Sequence, residues 1–191
     1  TLFPAPAGTW LPTAQTFDGV DDTVNIGNAD ELNFNGEITI AAWIKVDEFA
    51  SSWHVIAGHG NYGNKEVFFR LNGNYLQFGS WLGGANDHYV SYGLSDDFAG
   101  EWLHVAGVWD GDSLNLYVNG EQVLSKPDAQ GSVEINTNWH IGSSNGTSRF
   151  FDGEIRAVQM WNADLLPAQI AAVYNEQSIT SSADYQPVTT S

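Results

Sequence analysis

Three stretches gather the side chains that could recognise a ligand. Residues 50–66 (ASSWHVIAGHGNYGNKE) offer Trp53, His54, His59, Asn61, Tyr62 and Asn64. Residues 79–92 (GSWLGGANDHYVSY) offer Trp81, Asn86, Asp87, His88, Tyr89 and Tyr92, and residues 138–150 (NWHIGSSNGTSRF) offer Trp139, Ser143, Asn145 and Arg149. Flat aromatic rings stack on the apolar face of a pyranose, while amides, carboxylates and imidazoles read its hydroxyls. The expected ligand contacts are therefore Trp53, His59, Asn61, Tyr62, Trp81, Asn86, Asp87 and His88. Trp81 and Tyr62, set among Gly and Asn, stand out as surface aromatics. Trp139 reads as packing under its turn, and Trp53 precedes an apolar stretch that also suits a core.

A second chemistry is cation binding. Asp18, Asp21 and Asp22 fall within five residues that include Gly19. Such a turn can supply the several oxygens that Ca²⁺ prefers, or it can be an Asp-rich turn with a salt bridge and no metal. Asn86-Asp87-His88, in a Gly-rich loop, is a weaker candidate for a Ca²⁺ that touches sugar hydroxyls, because Asn and Asp also form turns.

Bulk properties narrow the partners. Six Lys and Arg stand against 23 Asp and Glu, a formal net charge of -17. Such a surface repels nucleic acid and anionic lipid, and it suits solubility in a salty medium. With no Cys, disulfides and thiolate metal sites are excluded. That lack leans towards a bacterial secreted or cell-surface protein. No apolar run approaches the roughly 20 residues of a membrane span.

The elements that position these loops read as short strands punctuated by Gly and Asn. Ile38–Val46 alternates, with Ile40, Ala42, Ile44 and Val46 on one face and Thr39, Ala41, Trp43 and Lys45 on the other. Val67–Leu71 and Tyr75–Phe78 flank Asn72-Gly73-Asn74, a hairpin signal. Trp102–Trp109 is apolar on both faces and should be central. Leu114–Asn119 points Leu114, Leu116 and Val118 inward and turns at Asn119-Gly120 into Gln122–Ser125. Val133–Ile135, His140–Ile141 and Ile155–Trp161 complete the strands. Pro167–Asn175 is the one expected helix, with Pro167 at its first position and Ile170, Val173 and Tyr174 on one side. The pattern predicts an all-β antiparallel sandwich with one short C-terminal helix. Residues 1–15 read as an arm or edge strand, 16–176 as the domain, and 177–191 as a Ser/Thr-rich linker.

The order of these pieces resembles the laminin-G-like, concanavalin A-like jelly-roll family. The matching stretches are Phe17-Asp18-Gly19-Val20-Asp21-Asp22-Thr23-Val24, Ile38-Thr39-Ile40-Ala41-Ala42-Trp43-Ile44-Lys45, Trp102-Leu103-His104-Val105-Ala106, Leu116-Tyr117-Val118-Asn119-Gly120, and Phe151-Asp152-Gly153-Glu154-Ile155 leading to Trp161-Asn162. With the turn Ile170–Tyr174 they span about residues 16–176 in order. The resemblance makes Trp43 a framework residue and implies that His104 faces the interior in a hydrogen bond. It also implies a Ca²⁺ held between the early Asp loop and an acid near the last strand. Here Arg156 stands where a carboxylate would close that site. Arg156 then pairs with one of the Asp residues, or Asp152 or Glu154 takes the closing role.

Such folds host lectins, hydrolases, lyases and adhesion modules, so function must come from the site. Hydrolases of this architecture carry a Glu-x-Asp-x-x-Glu pattern on one strand, and glycoside hydrolysis needs carboxylates about 5–9.5 Å apart. The strand candidates here hold almost no acids. A lyase constellation of Arg70, His88, Tyr89 and Tyr92 is conceivable, but the acidic surface suits a polyanionic substrate badly. Neither Gly-x-Ser-x-Gly nor His-Glu-x-x-His is present. The reading is a non-catalytic, lectin-like module binding a glycan or polysaccharide, with Ca²⁺ as its cofactor. It is expected to be a monomeric module within a larger secreted or surface-displayed chain. The competing reading is a protein- or peptide-binding adhesion module.

Overall fold

The computed structural model describes residues 6–32, 36–49, 51–61, 64–81, 88–128 and 137–175. In chain order these form β1 (Gly8–Trp10), β2 (Gln15–Asp18), β3 (Val24–Gly27), β4 (Ile38–Lys45), β5 (Trp53–Asn61), β6 (Asn64–Asn72), β7 (Tyr75–Trp81), β8 (His88–Gly93), β9 (Leu103–Trp109), β10 (Ser113–Val118), β11 (Glu121–Pro127), β12 (Trp139–Ile141), β13 (Asp152–Trp161) and the helix α1 (Pro167–Asn175). A seven-stranded sheet runs β1-β13-β4-β9-β10-β11, with β2 also on β13. A six-stranded sheet runs β3-β12-β5-β6-β7-β8. Every pairing is antiparallel. The chain is a jelly-roll-like sandwich, as its spacing of short strands predicts.

The period-two pattern decides which side chains meet between the sheets. Ile40, Ala42 and Ile44 of β4 join Leu114, Leu116 and Val118 of β10 and Phe69, Leu71, Leu76 and Phe78 of β6 and β7 in one buried cluster. Phe69 and Phe78 meet edge to face, 5.8 Å between centroids. Gly107 of β9 makes room for that packing, because a Cβ there would lie 2.4 Å from the Phe78 ring. Trp139 is fully buried, and its indole N–H donates to the Leu32 carbonyl at 3.2 Å. The opposite face of the seven-stranded sheet forms a second cluster. There Ala41, Ala106, Val108, Tyr117 and Trp161 lie under Ile170 and Val173 of α1.

The expected hairpins close as two-residue turns. Val118 pairs with Glu121 across Asn119 and Gly120, whose φ values of 49° and 82° suit the mirror-image turn that the strand twist favours. Four strands were not read from the sequence: β2, β3, β5 and β8. Trp53–Asn61 and most of His88–Gly93 lie inside stretches read as loops, because His, Gly, Asn and Ser break the apolar alternation. Pairing on both sides overrides that local preference for β5, held between β12 and β6. The expected strand Val133–Ile135 lies outside the described residues. No helix among the described residues is long and apolar enough to cross a membrane.

Candidate functional site

β8 ends the six-stranded sheet and β11 ends the seven-stranded one. Between them opens a cleft of about 590 Å³, lined by Tyr89, Val90, Ser91, Leu124, Ser125, Lys126 and Pro127. Strand neighbours point to opposite faces, so Tyr89 and Ser91 share one face of β8 and Val90 takes the other. Val90 turns into the core. Tyr89 reaches across Gly79, its register partner, and its ring lies 6.1 Å from that of Phe68. A Cβ at Gly79 would sit 2.1 Å from the His88 carbonyl oxygen, so only glycine allows β7 and β8 to approach this closely.

Polar groups converge on the same cleft. The Arg70 Nε–H donates to Gln77 Oε1 at 3.0 Å, and Gln77 Nε2 donates to Ser91 Oγ at 3.3 Å. Because Ser91 accepts in that bond, its own O–H proton is left as a donor towards the cleft. Lys126 Nζ crosses from β11 and donates to the Tyr89 carbonyl at 3.1 Å. At the rim, His88 Nδ1 lies 2.7 Å from Asp128 Oδ1, and Lys126 Nζ lies 3.9 Å from Asp128 Oδ2. These groups can hold a polar ligand by direct hydrogen bonds while Tyr89, Leu124 and Pro127 supply apolar surface.

Behind the cleft, Arg70 packs on the outer face of the six-stranded sheet. Its guanidinium carbon is 3.7 Å from the Phe68 ring centroid and 4.5 Å from that of Trp53. Arg149, from the loop before β13, comes within 4.3 Å of the same indole. That loop is tied by its own side chains: the Gly146 N–H donates to Ser143 Oγ, and the Thr147 N–H to Asn145 Oδ1.

The expected contacts divide. His88 stands at the cleft. Trp53 opens β5, half-buried against the two arginines. Trp81 ends β7, also half-buried. His59 is a correction: it is 1% exposed, its ring lies 5.4 Å from that of Trp139, and its Nε2 accepts the Thr137 N–H. As part of β5 it faces the core, so it cannot meet a ligand at the surface. Asn61 is described through its backbone, as the last residue of β5. Tyr62, Asn86 and Asp87 lie outside the described residues. Ser91, Lys126 and Asp128 were missed, because nothing in their local sequence shows that β11 lies beside β8.

The Asp-rich turn has carboxylate oxygens of Asp18, Asp21 and Asp22 within 4.8 Å of one another, all three residues exposed. Oxygens about 2.3–2.6 Å from a common Ca²⁺ can lie up to about 5 Å apart, so the spacing is compatible with three of the six to eight oxygens the ion takes. The same oxygens also brace the turn: the Val20 and Asp21 N–H groups donate to Asp18 Oδ1, and the Asp18 N–H to Asp22 Oδ2. The Val20 amide chiefly holds the Asp18 carboxyl below the ordinary carboxylate range, against the opposing effect of burial. Asp152 pairs with Asp18 across β13 and β2 and lies against Gly19, but it stands outside the group of three. Its backbone N–H donates to His54 Nδ1, which leaves the ring proton on Nε2, donating to Ser52 Oγ at 2.8 Å. Arg156 does not reach the Asp loop. It lies on the outer face of the seven-stranded sheet, between Trp43 and Trp102. Glu154 is held by Lys45 at 3.3 Å.

Solved structures share this fold. The binding domain of botulinum neurotoxin serotype D aligns with a TM-score of 0.70 and 14% identity, over 88% of this chain and 44% of that one. A structure of botulinum neurotoxin type C, whose cell entry depends on interaction with two ganglioside molecules, aligns at 0.69 and 13%, over 91% and 46%. The binding domain of botulinum neurotoxin DC, solved with rat synaptotagmin II, aligns at 0.67 and 13%, over 91% and 46%. The chain thus spans less than half the length of these solved chains. No curated protein matches it. A family model described as the concanavalin A-like lectin/glucanases superfamily matches residues 18–171, and to that superfamily the chain belongs.

Proposed function

We propose that the chain is a non-catalytic glycan-binding module of a secreted or cell-surface protein. It holds its ligand in the cleft between β8 and β11. The observation that carries the reading is the convergence on one concavity of Tyr89, Ser91 and Lys126, an aromatic, a hydroxyl and a cationic residue. Sugars are bound by that combination of apolar surface and directed hydrogen bonds. Asp128, the carboxylate at the rim, is engaged by His88 and Lys126. The solved type C toxin, named for its ganglioside interaction, supports a binding role on this fold. In this reading Ca²⁺ sits on Asp18, Asp21 and Asp22 as a structural ion, apart from the sugar.

The experiment is a glycan array probed with the purified chain in Ca²⁺, again with a chelator, and with Ser91→Ala and Lys126→Ala variants. The expected result is capture of one sugar class that persists in chelator and falls about tenfold in either variant, the equivalent of one good hydrogen bond. Binding untouched by both variants would move the site away from the cleft.

A second reading has its own observation. β8 and β11 are edge strands flanking one cleft, and an edge strand can accept an extended peptide through its backbone. The related toxin domain solved with synaptotagmin II supports a protein partner on this fold. A silent array together with capture of extended peptides would favour it.

A further inference from the structure

The face opposite the cleft carries a separate arrangement. Arg156 of β13 pairs in register with Trp43 of β4. Its guanidinium carbon lies 5.0 Å from the Trp43 ring and 4.8 Å from the Trp102 ring. Tyr174 of α1 stacks on Trp43, 5.6 Å between centroids and 27° between planes. Tyr174, Trp43, Arg156 and Trp102 thus form a run of flat groups, each half-buried, beside the part of the sheet that α1 covers.

Two features set Arg156 apart. Among the described residues it has no carboxylate partner, although acids outnumber bases 23 to six in the chain. Its Nε is buried without a hydrogen-bond acceptor. The neighbouring acid on the same strand, Glu154, is taken by Lys45. Backbone geometry aims the residue. The register between β13 and β4 shifts between Arg156 and Gln159, and Ala157 adopts a φ of 49° with its N–H donating to the Leu11 carbonyl. A bulge of this kind re-aims the side chains around it. Here it lets Ile155 and Val158 both enter the core while Arg156 stays on the outer face.

We infer that Arg156, Trp43 and Trp102 form a second ligand site, for a sugar that bears a carboxylate. A guanidinium lying between two indoles with its Nε buried keeps its terminal N–H groups for an acceptor, and a planar carboxylate matches that pair. The partly exposed Trp102 indole offers a flat surface to the pyranose ring that carries the acid. In a chain this acidic, a carboxylate ligand needs a local cation without an acid partner, and Arg156 supplies one. The site shares no residue with the cleft and does not rest on the reading given for it.

The test titrates the intact chain with glucuronate and sialyllactose, using glucose and lactose as neutral counterparts. Binding is read by calorimetry and by the indole N–H signals in NMR spectra. The expected outcome is that the acidic sugar binds at least about tenfold more tightly than its neutral counterpart. It should shift the Trp102 and Trp43 signals while leaving buried Trp139 unmoved. Arg156→Gln should remove that preference and leave capture at the cleft unchanged, whereas Arg156→Lys should restore only part of it. Equal binding of acidic and neutral sugars, or shifts confined to other indoles, would overturn the inference, and the NMR result stands even if Arg156→Gln fails to fold. Binding of acidic peptides but not acidic sugars at Trp102 would overturn it as well.

Discussion

His104 shows how one side chain acquires a pH dependence from its place. It sits on the outer face of β9, 1% exposed, with rings of Trp43 and Tyr174 at 5.4 and 5.8 Å. The family resemblance implies a hydrogen-bonded imidazole. Instead its Nδ1 is buried with no partner among the described residues, while its backbone N–H donates to Asn119 Oδ1. Burial pushes its pKa down to about 4. The unfolded chain therefore binds a proton that the folded one refuses between about pH 6.5 and pH 4. This stability is fully present above about pH 6.5, declines as the pH falls, and levels off below about pH 4, with about 2 kcal/mol lost at pH 5. Urea unfolding at pH 7 and pH 5 should show the loss in the native chain and a smaller loss in His104→Phe. Equal losses would mean that other groups carry the effect.

At the scale of elements, the cleft depends on where β8 lies, and β8 depends on Gly79. In Gly79→Ala the new methyl would meet the His88 oxygen at 2.1 Å and the Tyr89 Cα at 2.5 Å, both backbone atoms that cannot swing aside. The edge strand must then separate from β7. The expected cost is about 2–3 kcal/mol in urea unfolding, within the range for overpacked sites. Glycan capture should fall further than stability alone explains, since one wall of the cleft has moved. A variant with native stability and native capture would show that β8 tolerates the shift. The same scale explains β5 and β8, whose Gly and His residues hide a strand that pairing with neighbours creates.

For the whole molecule, charge dominates. A net charge of -17 means that folding brings like charges together. Raising NaCl from about 0.01 to 0.15 M shortens the screening length from about 30 to 8 Å and should relieve this repulsion. The melting temperature, followed by circular dichroism without divalent ions, should rise by several degrees over that range. A flat or falling curve would mean that the acids are already balanced locally, as Glu154 is by Lys45.

Much of the architecture is local and therefore readable along the chain. The alternation of Ile40, Ala42 and Ile44, the Asn119-Gly120 turn and the Pro167–Asn175 helix each follow from neighbouring residues, whose backbone preferences and periodicity act within a few positions. The cluster of Asp18, Asp21 and Asp22 was legible for the same reason. The cleft was not. Ser91 and Lys126 come from strands that end two different sheets, and no spacing records that those edges lie side by side. His59 reversed its role because pairing in β5 turned it inward onto Trp139. Arg156 departs visibly from the family pattern in the sequence, but only the bulge at Ala157 and the packing of Arg156 between Trp43 and Trp102 decided which way its charge points. Contacts of this kind join residues far apart in sequence, and their energy exists only once the sheets have closed on one another.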